Sequence, residues 1–211
     1  MKKILLITLL AAFLLNSCKK DTLGVSSITT YPTIKVKGDV AMAILVGGSY
    51  SESGVIALEG TKDITSGVKT EGTVNNAVPG VYTIKYTATN KDGFTVSTRR
   101  YVGVISTTAA AMDISGNYKR NAGVFGIATI TKTTYPGLYI NNNPGGAAVN
   151  NLFVYMFQTT PTIVSVPSQD SSVGEFACTG GVYNAIGASP QYSWVCINSG
   201  YGNAARTFIK Q

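Results

Sequence analysis

The sequence predicts an all-β protein. Charged residues make up only 13% of the chain and hydrophobic residues 45%. Runs rich in Thr, Val, Ile and Tyr are broken by Gly, Asn and Pro, the pattern of short strands and turns. Past Cys18 no long segment carries a helical period. At 211 residues the chain can hold one or two domains.

Residues 1–18 read MKKILLITLLAAFLLNSC. Lys2 and Lys3 make a positive start, an apolar stretch follows, and Ser17 is a small residue before the thiol, which together form an export signal. The apolar stretch is about twelve residues, short of the roughly twenty that span a bilayer. Leu15-Asn16-Ser17-Cys18 resembles the lipobox of bacterial lipoproteins, with Asn16 bulkier than that pattern usually carries. The resemblance implies cleavage after residue 17 and lipidation of Cys18, which would hold the protein on a membrane. Each buried methylene contributes about 0.8 kcal/mol, so several acyl chains anchor where one binds only reversibly. Residues 18–30 are short and polar and read as a lipidated tether. In similar lipoproteins of the Bacteroidetes an acidic tract after the cysteine can direct surface display; here only Asp21 is acidic, so the anchor fits either the cell surface or the periplasmic face of the outer membrane.

The formal charge is +7, and loss of Lys2 and Lys3 with the leader brings it to about +5. The basic residues are scattered, with Lys19-Lys20, Arg99-Arg100 and Lys119-Arg120 the tightest pairs. No basic and aromatic stripe emerges, so nucleic acid is not an expected partner. Cys178 and Cys196 follow the anchor in a compartment that permits oxidation. Two readings stand, a pair of buried free thiols or a disulfide worth about 3 kcal/mol for a loop of that length.

Residues 31–106 form the first unit. Thr33-Ile34-Lys35-Val36-Lys37 alternates as a half-buried strand does. Residues 81–88 make the clearest strand, and Asn90-Lys91-Asp92-Gly93 turns it into a hairpin partner over 94–105. Tyr82, Ile84 and Tyr86 share one strand face and are expected to pack inside. Residues 48–57, GSYSESGVIA, carry a G-x-x-Y-x-D/E-x-G-V-x-A element. Asp63-Ile64-Thr65, the G-x-Y-x-I-x-Y-x-A strand from Gly80 to Ala88, Asp92-Gly93 and Arg100-Tyr101-Val102 follow in order. These elements resemble a bacterial immunoglobulin-like family found in tandem on surface proteins, with Ser53 where the family often has Pro. The resemblance implies an immunoglobulin-like β-sandwich acting as a spacer or interaction module. Asp39, Glu52, Asp63 and Asp92 lack the alternating oxygen ligands of a calcium loop, and no metal is expected.

Residues 107–112 read as a linker and 113–211 as a second, C-terminal β-domain. Nine strands are expected, near 116–120, 125–132, 137–141, 152–158, 162–166, 174–179, 181–187, 191–197 and 204–209. Their even spacing predicts an antiparallel β-meander, closed as a small barrel or packed as a sandwich. Residues 114–120, ISGNYKR, resemble the opening strand of C-terminal domains that accompany the immunoglobulin-like unit in Bacteroidetes lipoproteins.

The chain contains no histidine, which removes Ser-His-Asp and Cys-His machinery and the commonest metal ligand. In the second unit the carboxylates are Asp113, Asp170 and Glu175; Asp170 and Glu175 can approach across a turn, but the Ser-rich loop around them gives no sign of the pocket a glycosidase requires. No catalytic residue, cofactor or metal is expected. The unit does carry Tyr135, Tyr139, Tyr192, Trp194 and Tyr201 at or near turns, close in sequence to Asn141, Asn142, Asn143, Asn150, Asn151, Asn198 and Asn203. Aromatic faces stack on sugar rings while amides meet hydroxyls, so these five rings are candidate glycan-binding residues; core packing is the competing reading. Phe153, Tyr155 and Phe157 share a strand face and are expected in the core. The pattern is similar to accessory lipoproteins of outer-membrane polysaccharide-uptake systems, which implies a polysaccharide ligand and a transporter complex as partner. The alternative is a structural or adhesion lipoprotein that contacts other proteins and binds no sugar.

Overall fold

In the computed structural model, residues 28–123, 126–148, 152–185 and 189–211 are described. Cys18 with its leader, Phe125, Asn150, Asn151 and Gly187 lie outside the described residues.

Seven strands build the first half: β1 Pro32–Val36, β2 Ala41–Leu45, β3 Val55–Glu59, β4 Lys62–Asp63, β5 Lys69–Glu71, β6 Gly80–Thr89 and β7 Thr95–Ile105. They form a three-stranded sheet, β1-β3-β4, and a four-stranded sheet, β2-β7-β6-β5, in which β2 runs parallel to β7. The expected hairpin is β6–β7, paired from Gly80↔Val104 to Thr89↔Thr95. Asn90 builds its turn: the side-chain oxygen accepts from the N–H groups of Asp92 and Phe94 at 3.1 and 2.8 Å. Between the sheets lie Val36, Val55, Ile84 and Tyr86.

The immunoglobulin-like motif residues converge on one buried cation. Arg100 is 2% exposed; its Nε donates to Glu52 at 3.0 Å and its Nη atoms to the carbonyls of Lys37 (2.6 Å) and Asp39. Glu52 also accepts from the Tyr50 hydroxyl and from Gly54 N–H at 2.7 Å. Gly54 sits at φ +72, a left-handed conformation that a side chain would strain. Burial pushes the Glu52 carboxyl up, but hydrogen bonds from Tyr50, Tyr86 and Gly54 and the Arg100 charge outweigh it and hold the carboxyl below its usual range. The Y-x-E-x-G spacing is thus the seat of a buried ion pair.

The expected linker contains a one-turn helix, α1 Thr107–Ala110, capped by the Ser106 hydroxyl, which accepts from Ala109 N–H. Eight strands follow: β8 Gly116–Arg120, β9 Ile127–Lys132, β10 Leu138–Asn142, β11 Phe153–Gln158, β12 Val164–Ser171, β13 Gly174–Asn184, β14 Gln191–Ile197 and β15 Ala205–Lys210. Each pairs with its sequence neighbour, and β15 returns to β8, closing an up-and-down antiparallel barrel. Eight strands replace the expected nine because 174–179 and 181–187 are one strand. Gly180 and Gly181 form a bulge in β13, where the register shifts between Thr179 and Val182. Gly180 has φ +63, and a Cβ on Gly181 would lie 2.0 Å from the Val164 carbonyl oxygen. Eight strands leave an interior that side chains can fill. Tyr118, Tyr139, Tyr192, Trp194, Phe176 and Phe208 fill it, together with aliphatic side chains. A membrane-spanning barrel has the reverse arrangement, with a polar lumen and an apolar belt.

Tyr31–Gln211 is one compact unit. The reason is a third cluster, shared by sandwich and barrel: Ala41, Ala43, Tyr101 and Ile105 from the four-stranded sheet, Ala109 from α1, and Leu138 and Phe157 from the barrel wall. In the last half of β7, Arg100 through Ile105 are all buried, because both faces of the sheet are covered. The expectation that Phe153, Tyr155 and Phe157 lie in the core holds for Phe157, in the core shared with the sandwich, and is corrected for Phe153, which is exposed. Val154 and Met156 point inward, and the three aromatics face out. Phe157 is buried by the sandwich, Tyr155 is half-buried beside it, and Phe153 is 62% exposed.

Candidate functional site

The five aromatic residues singled out from sequence do not form one platform. Tyr139, Tyr192 and Trp194 are 0, 1 and 1% exposed and belong to the barrel core. Tyr192 packs on Trp194 with ring centroids 4.6 Å apart and stacks on Phe208 at 4.8 Å. Trp194 Nε1 donates to the Pro144 carbonyl at 2.9 Å. No sugar face can reach these rings, so the surface-platform reading is corrected for all three. Strand alternation carries the reason: Tyr192, Trp194 and Cys196 share the inward face of β14. Tyr201 is half-buried at one barrel end, edge-on to Phe176 and under the Arg206 guanidinium at 5.2 Å.

The asparagines are likewise mostly structural. Asn141 is fully buried inside the barrel and donates to the Tyr192 hydroxyl at 3.3 Å. Asn143, at φ +60, exchanges hydrogen bonds with Ala147 and shapes the turn over the barrel end. Cys178 and Cys196 are free thiols rather than a bridge, and they lie directly opposite each other on β13 and β14.

Tyr135 is placed differently, at the seam between sandwich and barrel. Its hydroxyl donates to Asp39 at 2.6 Å, a bond that lifts the phenol above its usual range. It lines a groove of about 200 Å³ with Asp39, Val40 and Ala41 from the sandwich and Thr133, Thr134, Leu138 and Tyr155 from the barrel. Tyr155 also lines a second groove, of about 190 Å³, with Ile140, Phe153, Val154, Gln169 and Asp170. Tyr155 is the wall common to both grooves, and the two together are called the Tyr155 cleft. Each part is smaller than a pocket that encloses a ligand, so the cleft suits one face of an extended molecule.

The second groove opens because β12 leaves β11. The two strands pair only at Phe157↔Ser165 and Gln158↔Val164, and the β12 register shifts between Val166 and Gln169. The Gln169 side chain takes over, accepting from Tyr155 N–H at 2.9 Å and donating to Tyr155 C=O at 3.1 Å. Because antiparallel backbones alternate, the N–H and C=O of Phe153 point the same way as those of Tyr155, toward the groove. Tyr101 backs Tyr155, with ring centroids 6.4 Å apart, and its hydroxyl donates to the Ser168 carbonyl at 2.9 Å. Next to it Arg99 is ion-paired to Glu175 at 3.0 Å. The cleft therefore offers an exposed ring, a fixed tyrosine, an aliphatic neighbour in Ile140 and two carboxylates, Asp39 and Asp170. Sequence reading missed Phe153 and Tyr155, although the unbroken apolar run F-V-Y-M-F marks a strand covered on both faces.

The fold defines a two-part all-β protein, an immunoglobulin-like sandwich packed on an eight-stranded barrel. Residues 34–104 match the family described as bacterial surface protein, Ig-like domain, so the sandwich is a domain of that kind. A search of curated proteins finds no match. Among solved structures, a lipoprotein from Bacteroides thetaiotaomicron is 22% identical, with a TM-score of 0.40, covering 86% of this chain and all of that one. A carbohydrate-binding module with GlcNAc and INT domains from Clostridium perfringens ZmpB is 18% identical, TM-score 0.30, covering 78% of this chain and 29% of that one. The M60 catalytic domain with two such modules from the same protein is 16% identical, TM-score 0.31, covering 77% and 15%. Likeness at this level carries no functional argument.

Proposed function

We propose that this protein is a non-catalytic, lipid-anchored envelope protein that binds glycan chains in the Tyr155 cleft. Lipid on Cys18 holds it to the outer membrane, and the sandwich and barrel act as one rigid platform. The observation that carries the reading is Phe153, a large ring 62% exposed on a barrel strand, beside Tyr155 and the carboxylate of Asp170. Apolar sugar faces stack on such rings while the hydroxyls meet the carboxylate, the Phe153 backbone and the Tyr135 hydroxyl. The absence of histidine and the surface-protein family of residues 34–104 support a binding role over a catalytic one. A polysaccharide-uptake transporter in the same membrane is the fitting partner.

Affinity electrophoresis through polysaccharide gels tests this. Retardation of the purified protein should be lost in Phe153→Ala and in Tyr155→Ala. Phe153 contributes little buried area, so its variant should keep the wild-type melting temperature. Migration unchanged by every polysaccharide would overturn the glycan reading and favour a role in contacts with other envelope proteins.

A further inference from the structure

The charges at the cleft run against those of the molecule. The chain as a whole is basic, with 17 Lys and Arg against 10 Asp and Glu. Yet the charged side chains lining the two described grooves are both carboxylates, Asp39 and Asp170, and neither groove is lined by Lys or Arg. Of the arginines near the seam, Arg99 lies within electrostatic reach of Asp170 but is held by Glu175 at 3.0 Å, and Arg100 is buried on Glu52 at 3.0 Å, so each is already matched by a carboxylate outside the two grooves. Carboxylates accept hydrogen bonds and cannot donate them. A ligand meeting them must bring donors and no negative charge.

From this we infer that the cleft selects neutral glycan chains and rejects anionic ones. The inference rests on the glycan reading above and narrows it to a substrate class. An extended chain of uncharged sugars lays apolar ring faces on Phe153 and Tyr155 and donates hydroxyls to Asp170 at one end. At the other end a sugar hydroxyl meets Asp39, whose second partner is the Tyr135 hydroxyl at 2.6 Å. A uronate or sulfate in either position faces a like charge, and the repulsion is enough to weaken binding about tenfold at low ionic strength. Net charge alone predicts the opposite preference, since a basic protein attracts polyanions.

The test compares neutral gels (galactomannan, hydroxyethyl cellulose, amylopectin) with anionic ones (polygalacturonate, chondroitin sulfate) at low salt. Wild type should be retarded by at least one neutral polymer, and Phe153→Ala should abolish that. It should pass the anionic gels at the rate of Phe153→Ala, so that any residual drag is non-specific. The pair Asp39→Asn and Asp170→Asn, combined in one chain, should gain retardation in an anionic gel that further substitution of Phe153 removes. Phe153-dependent binding of wild type to an anionic polymer overturns the inference and leaves the glycan reading standing. Absence of Phe153-dependent binding to all five overturns both.

Discussion

The ring of Phe157 on the barrel lies against the bare backbone of Gly103 on the sandwich. A Cβ at Gly103 would sit 2.5 Å from Phe157 Cδ1 and 3.1 Å from Ile105 Cδ1. Gly103 is paired with Val81 and lies beside Ala43, so small residues form a flat floor that admits the ring. Sandwich and barrel join in this way without a long linker or a large interface loop.

Gly103→Ala should therefore wedge the seam. Phe157 is buried among Leu138, Ile105 and Tyr101 and cannot swing aside. The overpacking should cost about 1–3 kcal/mol, and Phe157→Ala alone about 3–5 kcal/mol. In the Phe157→Ala background the added methyl has room, so the two costs should fall well short of additive. A urea-denaturation double-mutant cycle measures this, and additive costs would contradict the contact.

Glu52 and Arg100 set an acid limit on the sandwich. Glu52 is held below its ordinary value of 4.5 when folded. The unfolded chain then binds the proton more readily, so the stabilisation is full above about pH 4.5 and is lost as pH falls through the folded value. Asp63, Asp113 and Glu175 are also held low, but they are exposed and salt screens them. Denaturant midpoints between pH 6 and pH 3 in high salt should fall for wild type and flatten for Glu52→Gln. Glu52→Ala, which strands the buried guanidinium, should cost about 3 kcal/mol at neutral pH. A wild-type profile matching Glu52→Gln would rule out the ion pair as the source.

Trp194 is the chain's single tryptophan and an internal reporter of the barrel. Buried at 1% exposure with its indole N–H on Pro144, it should emit to the blue of free tryptophan and resist acrylamide until the barrel unfolds. Trp194→Ala should cost about 3–5 kcal/mol. Any loss of glycan retention in that variant should track loss of folded protein. Ready quenching in the native state would place the indole outside the core.

The strands were largely legible in the sequence, because side-chain alternation and turn residues are local signals. β8 and β14 fall on the expected 116–120 and 191–197. The glycine pair at 180–181 reads as a turn because bulges and turns draw on the same residue. What the sequence left open was which face of each strand is covered. β11 is apolar on both faces, and only the docked sandwich decides that Phe157 is buried while Phe153 is bare. The same ambiguity leaves Tyr192 and Trp194 open between a surface site and the core, and their spacing with Cys196 on one face of β14 is the core signature that the barrel realises. The Tyr155 cleft depends on β12 leaving β11, a register event with no local sequence mark beyond Pro167.

Cys178 and Cys196 are reduced and face each other inside the barrel wall. Directly opposed antiparallel residues have Cα atoms about 4.5–5.5 Å apart, within the reach of a disulfide. Burial pushes the Cys178 thiol up, while the Cys178 S–H and the charges of Arg206 and Arg120 outweigh burial and hold Cys196 lower, so Cys196 ionises first; at 1% exposure it meets an oxidant only when the barrel opens locally. Attack on oxidised glutathione gives a mixed disulfide and releases one glutathione. The Cys178 thiol then loses its proton and displaces the second glutathione, closing the bridge. Incubation with oxidised glutathione should make both thiols resistant to alkylation without reductant and lower the mass by two hydrogen atoms. The oxidised form should gain up to about 3 kcal/mol in urea, and Cys178→Ser should stop at the glutathione adduct on Cys196. Two alkylated thiols after prolonged oxidation of the wild type, under conditions where Cys178→Ser does form the adduct, would mean that the strand pair holds the sulfurs apart.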